Sequence, residues 1–90
     1  MQTIQRYKIT RNTCTINMPI YAKILHTKAI NDNIYIWAYT STEDTIAPRT
    51  FKCFNTDDEC FFENDRIYIG TVHIKKAGWG CDSIHIFEVI

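Results

Sequence analysis

Apolar and polar residues alternate in steps of two along most of this chain. Only an extended strand, whose successive side chains leave opposite faces, satisfies that period. The clearest segments are Asn33 to Tyr39, Arg66 to Ile74 and Ser83 to Ile90, all rich in β-branched and aromatic residues and bounded by turn formers. Six or seven such segments fit into 90 residues. The pattern predicts an all-β fold: a small single-domain barrel or sandwich of six to seven mostly antiparallel strands, with residues 1–90 forming one unit.

The individual segments carry their own face assignments. Ile4 to Ile9 puts Arg6 and Lys8 on one side and Tyr7 and Ile9 on the other. Thr13 to Met18 sets Cys14, Ile16 and Met18 against Thr13, Thr15 and Asn17, so one side is buried, and Pro19 ends the strand. Ala22 to Ile30 is less regular and reads as a strand or a short helix. Asn31-Asp32-Asn33 tolerates positive φ and predicts a hairpin into Ile34–Ser41. Ser41 to Pro48 reads as a polar loop before a strand Arg49–Phe54, and Lys75 to Asp82 as a glycine-flanked loop displaying Trp79.

Two strands are apolar on both faces. Ile34, Ile36 and Ala38 oppose Tyr35, Trp37 and Tyr39, while Ile84 and Ile86 oppose His85, Phe87 and Val89. Their outer sides need cover from a loop, a second sheet or another subunit, and a core this small makes a homo-oligomer one of the expected solutions. A hydrophobic fraction of 46% with 13% aromatics is enough to fold, and large rings fill much of the interior. Phe61 and Phe62 stand side by side in an acidic stretch, so at least one of them is expected to pack.

Charge is zero in total and uneven in place. Residues 1–28 hold Arg6, Lys8, Arg11, Lys23 and Lys28 with no acid, whereas residues 32–65 hold eight acids against Arg49 and Lys52. The pattern fits either solvated strand faces or a basic patch for an anion supplied by the first strands. A neutral total argues against non-specific grip on duplex nucleic acid, and no apolar run approaches bilayer length. The N-terminus lacks the apolar core of a secretory signal, so a cytoplasmic product with reduced Cys14, Cys53, Cys60 and Cys81 is expected.

Reactive motifs are absent. There is no phosphate-binding glycine loop, no C-x-x-C knuckle, no His at ligand spacing from a Cys, and no H-x-T or H-x-S pair of a histidine phosphoesterase. No catalytic residue, metal or cofactor is therefore assigned. Binding residues are more legible. Tyr35 and Trp37 lie in an aromatic row that could stack nucleobases, with Arg49 and Arg66 as forks for a phosphate or carboxylate and His85 beside them. Trp79 and Phe62, with Asp57 and Asp58 of the acidic loop, are the candidate partner-binding residues.

The blocks Arg6-Tyr-Lys-Ile9, Ile16-Asn-Met-Pro19, Ala22-Lys-Ile-Leu-His26, Ile36-Trp-Ala38, Arg49-Thr-Phe51, Tyr68-Ile-Gly-Thr-Val72 and His85-Ile-Phe-Glu-Val89 run through nearly the whole chain. In order and spacing they resemble a family of small bacteriophage and prophage proteins carrying a domain of unknown function. Where those relatives have a glycine-rich turn after the arginine-bearing strand, this chain reads Asn55-Thr-Asp-Asp-Glu-Cys60. The resemblance implies a viral protein in the cytoplasm of an infected bacterium and supplies no catalytic residue. It fits a non-enzymatic counter-defence protein that sequesters a nucleotide-derived immune signal in an oligomeric pocket. The alternatives are a protein-binding inhibitor of a host defence effector, such as a CRISPR effector, or a virion accessory protein.

Overall fold

A computed structural model, describing residues 1–75, 78 and 80–90, turns the period-two segments into seven strands. They are β1 (Gln2–Ile9), β2 (Thr13–Pro19), β3 (Lys23–Ile30), β4 (Asn33–Ser41), β5 (Ile46–Asn55), β6 (Arg66–Lys75) and β7 (Cys81–Val89). A three-stranded sheet in the order β1-β4-β3 lies against a four-stranded sheet in the order β2-β5-β7-β6. All pairings are antiparallel. The result is a sandwich and not a closed barrel.

The interior follows from the alternation. Ile34, Ile36 and Ala38 of β4 face Phe51 and Cys53 of β5 and Ile84 and Ile86 of β7, with Ile9, Met18, Ala22, Val72 and Ile74 completing the core. Phe51, Met18, Ile36 and Ile86 are fully buried. The molecule is 15 Å across its shortest axis, so a single layer of side chains separates the sheets, which pack about 10 Å apart.

The hairpin predicted at Asn31-Asp32 is present, with φ of 50° and 67° at those two residues. That is the left-handed pair a two-residue turn with right-handed strand twist requires. Ala22–Ile30 resolves as strand, and its irregularity is a register shift between Ile24 and His26 that leaves Leu25 as a bulged residue. Several boundaries differ from expectation by a residue or two, and β5 differs most. β5 begins at Ile46, not Arg49, and carries Pro48 inside it opposite Asn17. At Pro48 the strand has β2 on one side only, because its pairing with β7 starts at Thr50, so the missing N–H leaves no gap in a two-sided ladder.

The four cysteines are free: Cys53 is buried, Cys14 half-buried, and Cys60 and Cys81 are exposed. Burial pushes the Cys53 thiol up to about 11, with Cys14 adding to the effect and Arg11 opposing it. Iodoacetamide followed by mass spectrometry should label Cys60 and Cys81 first and Cys53 last, and urea should erase the ranking. The same burial sets a pH dependence. The stability that comes from keeping Cys53 neutral is complete below the ordinary thiol value of about 8.5. It is lost as pH rises toward about 11. Over that window a Cys53→Ala variant should lose less of its melting temperature than the parent.

Candidate functional site

The outer face of the three-stranded sheet is built by register. β4 turns Tyr35, Trp37 and Tyr39 outward, since Ile34, Ile36, Ala38 and Thr40 between them are buried. Antiparallel pairing then sets Lys8 and Lys28 on either side of Tyr35, Arg6 and His26 on either side of Trp37, and Ile4 and Lys23 on either side of Tyr39. Arg6, Lys8, Lys23, His26 and Lys28 are all exposed. Every rung has an aromatic at its centre and at least one cation at its side.

The rings interact without covering one another. The Arg6 guanidinium lies 4.5 Å from the centre of the Tyr35 ring. His26 and Trp37 sit 5.5 Å apart at 42°, and Tyr35 and Trp37 are 6.3 Å apart at 53°. Tyr39 donates its hydroxyl to Gln2 and is still 42% exposed. Tyr35 and Trp37 are half-buried and Tyr39 is exposed, so part of the row's ring surface is open to a planar ligand. Among the described residues of β1, β3 and β4, no carboxylate stands on this face; Asp32 occupies the hairpin tip at the Tyr35 end, and Glu43 pairs with the N-terminal amine at 3.8 Å beyond the Tyr39 end.

Arg49 is elsewhere. It faces the interior, where Nε and Nη2 donate to the two oxygens of Glu88 at 2.6 and 2.7 Å and Nη1 donates to the Ala22 carbonyl at 2.5 Å. Its side chain is only 16% exposed and that of Glu88 only 11%. It lines a groove of about 300 Å³ with Leu25, Ile67 and Tyr68, but its fork is already filled by a carboxylate. The charge is cancelled where it stands, and the pair ties β5 and β7 to the entry of β3.

Arg66 and His85 lie on the outer face of the four-stranded sheet. There Phe87 packs edge-on against Phe54, Phe62 and Tyr68 at 6.2, 5.3 and 5.5 Å. Phe62 reaches this face from the acidic loop, and Arg66 and Lys52 sit over its ring at 4.8 and 5.9 Å. Phe61, its neighbour, stays 70% exposed. The loop thus covers the greasy outer side of β7. His85 hydrogen-bonds Thr71 through Nδ1 at 2.9 Å and Thr56 through Nε2 at 2.8 Å, so both ring nitrogens are engaged. Asp58 accepts the Asn55 amide at 2.8 Å and so closes the turn, while Asp57 takes a left-handed φ of 72° within it. Trp79 lies outside the described residues.

The five residues read from sequence as ligand-binding are therefore distributed over three places. Tyr35 and Trp37 share the cationic face, Arg66 and His85 share the opposite outer face, and Arg49 is interior. The basic residues that do flank the aromatic row, Arg6, Lys8, Lys23, His26 and Lys28, were individually unremarkable in sequence. Their signal was the acid-free charge of the first 28 residues together with a period of two.

Among the described residues, no cluster of three or more His, Cys, Asp or Glu is placed to hold a metal ion, and no helix is long and apolar enough to cross a membrane. No curated protein and no solved structure matches the chain. The whole of it, residues 1–90, matches a family described as a domain of unknown function, DUF7352. The chain belongs to that family.

Proposed function

We propose that this protein is a non-enzymatic binding protein whose ligand is nucleotide-derived and is held on the outer face of β1-β4-β3. The observation that carries the reading is the aromatic row Tyr35-Trp37-Tyr39 flanked by Arg6, Lys8, Lys23, His26 and Lys28. Bases stack on such rings with little regard to their identity, and the flanking cations neutralise phosphate. In the setting the sequence resemblance implies, the protein is a phage product that withholds a signalling nucleotide from host immunity in the bacterial cytoplasm. Sequestration needs affinity and no chemistry, which suits a face that offers cations and rings without a paired nucleophile and base.

Titration calorimetry against a panel of nucleoside phosphates, cyclic nucleotides, ADP-ribose derivatives and short oligonucleotides tests this. Heat of binding with at least one member, and recovery of that member intact after the protein is heated, is the expected result. Absence of binding across the panel sinks the reading, and a chemically altered ligand would replace sequestration with catalysis.

A second reading, a protein-binding inhibitor of a host defence effector, is favoured by Phe61. That ring is 70% exposed among Asp57, Asp58, Glu59, Glu63 and Asp65, an apolar anchor in an acidic rim. Under the first reading Phe61→Ala leaves nucleotide affinity unchanged; under the second it abolishes capture of the effector.

A further inference from the structure

Resting on the reading above, we infer that the ligand is a single-stranded oligonucleotide laid along β4, about three nucleotides long, and not an enclosed small nucleotide. Shape is the first argument. Small-molecule sites are concave and bury most of their ligand. Five grooves of about 240 to 430 Å³ have none of Tyr35, Trp37 and Tyr39 in their walls, although Lys23 and His26 border one of them and Lys28 another. The aromatic row is an open platform.

Length is the second. Tyr35 to Tyr39 spans four rises of strand, about 13 Å, and that exceeds one base. The 6.3 Å between the Tyr35 and Trp37 rings is also far more than the ~3.4 Å rise of stacked bases in a duplex strand. Consecutive bases seated on consecutive rings must therefore be unstacked from each other, which a flexible single strand permits and a duplex does not.

Charge is the third. Lys8 and Lys28 on either side of Tyr35, Arg6 beside Trp37 and Lys23 beside Tyr39 give every rung a cation, as a backbone of several phosphates requires. A mononucleotide would leave most of them unused. The bulge at Leu25 keeps His26 and Lys23 on the same outward face, although an unbroken ladder would put one of them inside.

The test uses the full chain with Trp79→Phe, so that fluorescence reports on Trp37 alone. Thymidylate ligands are titrated from mononucleotide through trinucleotide to hexanucleotide, with a duplex of equal length and a cyclic dinucleotide beside them. Affinity should climb with each nucleotide up to the trinucleotide and then flatten, Trp37 emission should be quenched, and the duplex should bind at least ten-fold more weakly. Measured by titration calorimetry, since these variants lack the reporting indole, Trp37→Ala should cost about ten-fold or more while Trp37→Phe retains most of the affinity. Lys28→Gln should reduce the slope of log affinity against log salt by about 0.7, one single-strand phosphate contact.

If the mononucleotide or the cyclic dinucleotide binds as tightly as the trinucleotide, this inference fails and the nucleotide-binding reading survives. Equal binding of the duplex overturns the inference as well. If none of these ligands binds while the melting temperature of the protein is normal, this inference fails, and the nucleotide-binding reading fails with it when the wider nucleotide panel is silent too.

Discussion

Replacing Arg49 by methionine should bring the domain close to unfolding. The substitution keeps most of the apolar stem but leaves the Glu88 carboxylate in a site where its side chain is only 11% exposed, with no cation to meet it. Stranding one partner of a buried pair costs about 3–5 kcal/mol, a large part of the roughly 5–15 kcal/mol that holds a domain together. The Ala22 carbonyl loses its donor in the same step. At about 4–8 °C per kcal/mol for a domain of this size, the melting temperature should fall by more than about 12 °C. Arg49→Lys should lie between, because an ammonium restores the charge but cannot match both carboxylate oxygens and the carbonyl at once.

The double variant Arg49→Met, Glu88→Leu separates burial of a charge from loss of packing. Removing both charges together should recover most of the stability, since an apolar pair of similar volume replaces a buried ion pair at little cost. Urea denaturation of the four proteins measures it. A single variant that loses under about 1 kcal/mol would mean the pair is hydrated and contributes little. The recovered double variant also bears on function: it should bind oligonucleotide like the parent, because Arg49 faces the interior and Trp37 the outside. Loss of binding in a well-folded double variant would return Arg49 to the ligand site.

That contrast shows where sequence reasoning stops. A period of two states which residues share a face of one strand, and it placed Arg6 and Lys8 together, Tyr35 and Trp37 together, and His85 with Phe87. It does not state which strands are neighbours. Joining Arg49 to Trp37 required β5 beside β4, whereas β5 lies between β2 and β7 in the other sheet. Joining Trp37 to Arg6 and His26 required only the β3–β4 hairpin, which Asn31-Asp32 announces, and the long-range pairing of β1 with β4, which nothing local announces. Arg49 opening a strand also looked free because its partner, Glu88, is 39 residues away. The alternation of β7 did place Glu88 on the inner side with Ile84 and Ile86, so an inward acid awaiting a cation was there to be read.

Cover for the two-faced strands was solved differently on each sheet, and both solutions were partly legible. On β7 the Phe62 ring arrives from the loop, as a pair of adjacent phenylalanines in an acidic stretch suggests. Among the described residues, no loop packs on the aromatic row of β4. The guanidinium of Arg6 and the ring of His26 shade Tyr35 and Trp37 instead. A face left with an exposed cation over an aromatic ring is available to a ligand in a way that a face packed under the half-buried Phe62 ring is not.

Gly70→Ala should be the second most damaging change, and it links the packing of the two sheets to the proposed binding face. β3 and β6 approach each other along one side of the sandwich, and a Cβ at Gly70 would sit 2.6 Å from Thr27 Cγ2. Thr27 cannot swing aside freely: it is β-branched, and its hydroxyl donates to the Tyr35 carbonyl at 2.9 Å. Overpacking of this kind costs about 1–3 kcal/mol, and the entropic gain of about 0.4–1 kcal/mol that alanine brings over glycine in the unfolded chain offsets only part of it. Thr27→Ser removes Cγ2 and keeps the hydroxyl, so adding it to Gly70→Ala should restore most of the lost stability even though alone it costs about 0.8 kcal/mol for the missing methyl. Strict additivity of the two changes in a double-mutant cycle would show that the sheets part instead of clashing. Because Thr27 lies between His26 and Lys28 and is bonded to the backbone of Tyr35, a sheet lifted by Gly70→Ala also shifts an imidazole and an ammonium against the aromatic row. Oligonucleotide affinity should therefore fall in Gly70→Ala and return in the double variant, in step with the melting temperature.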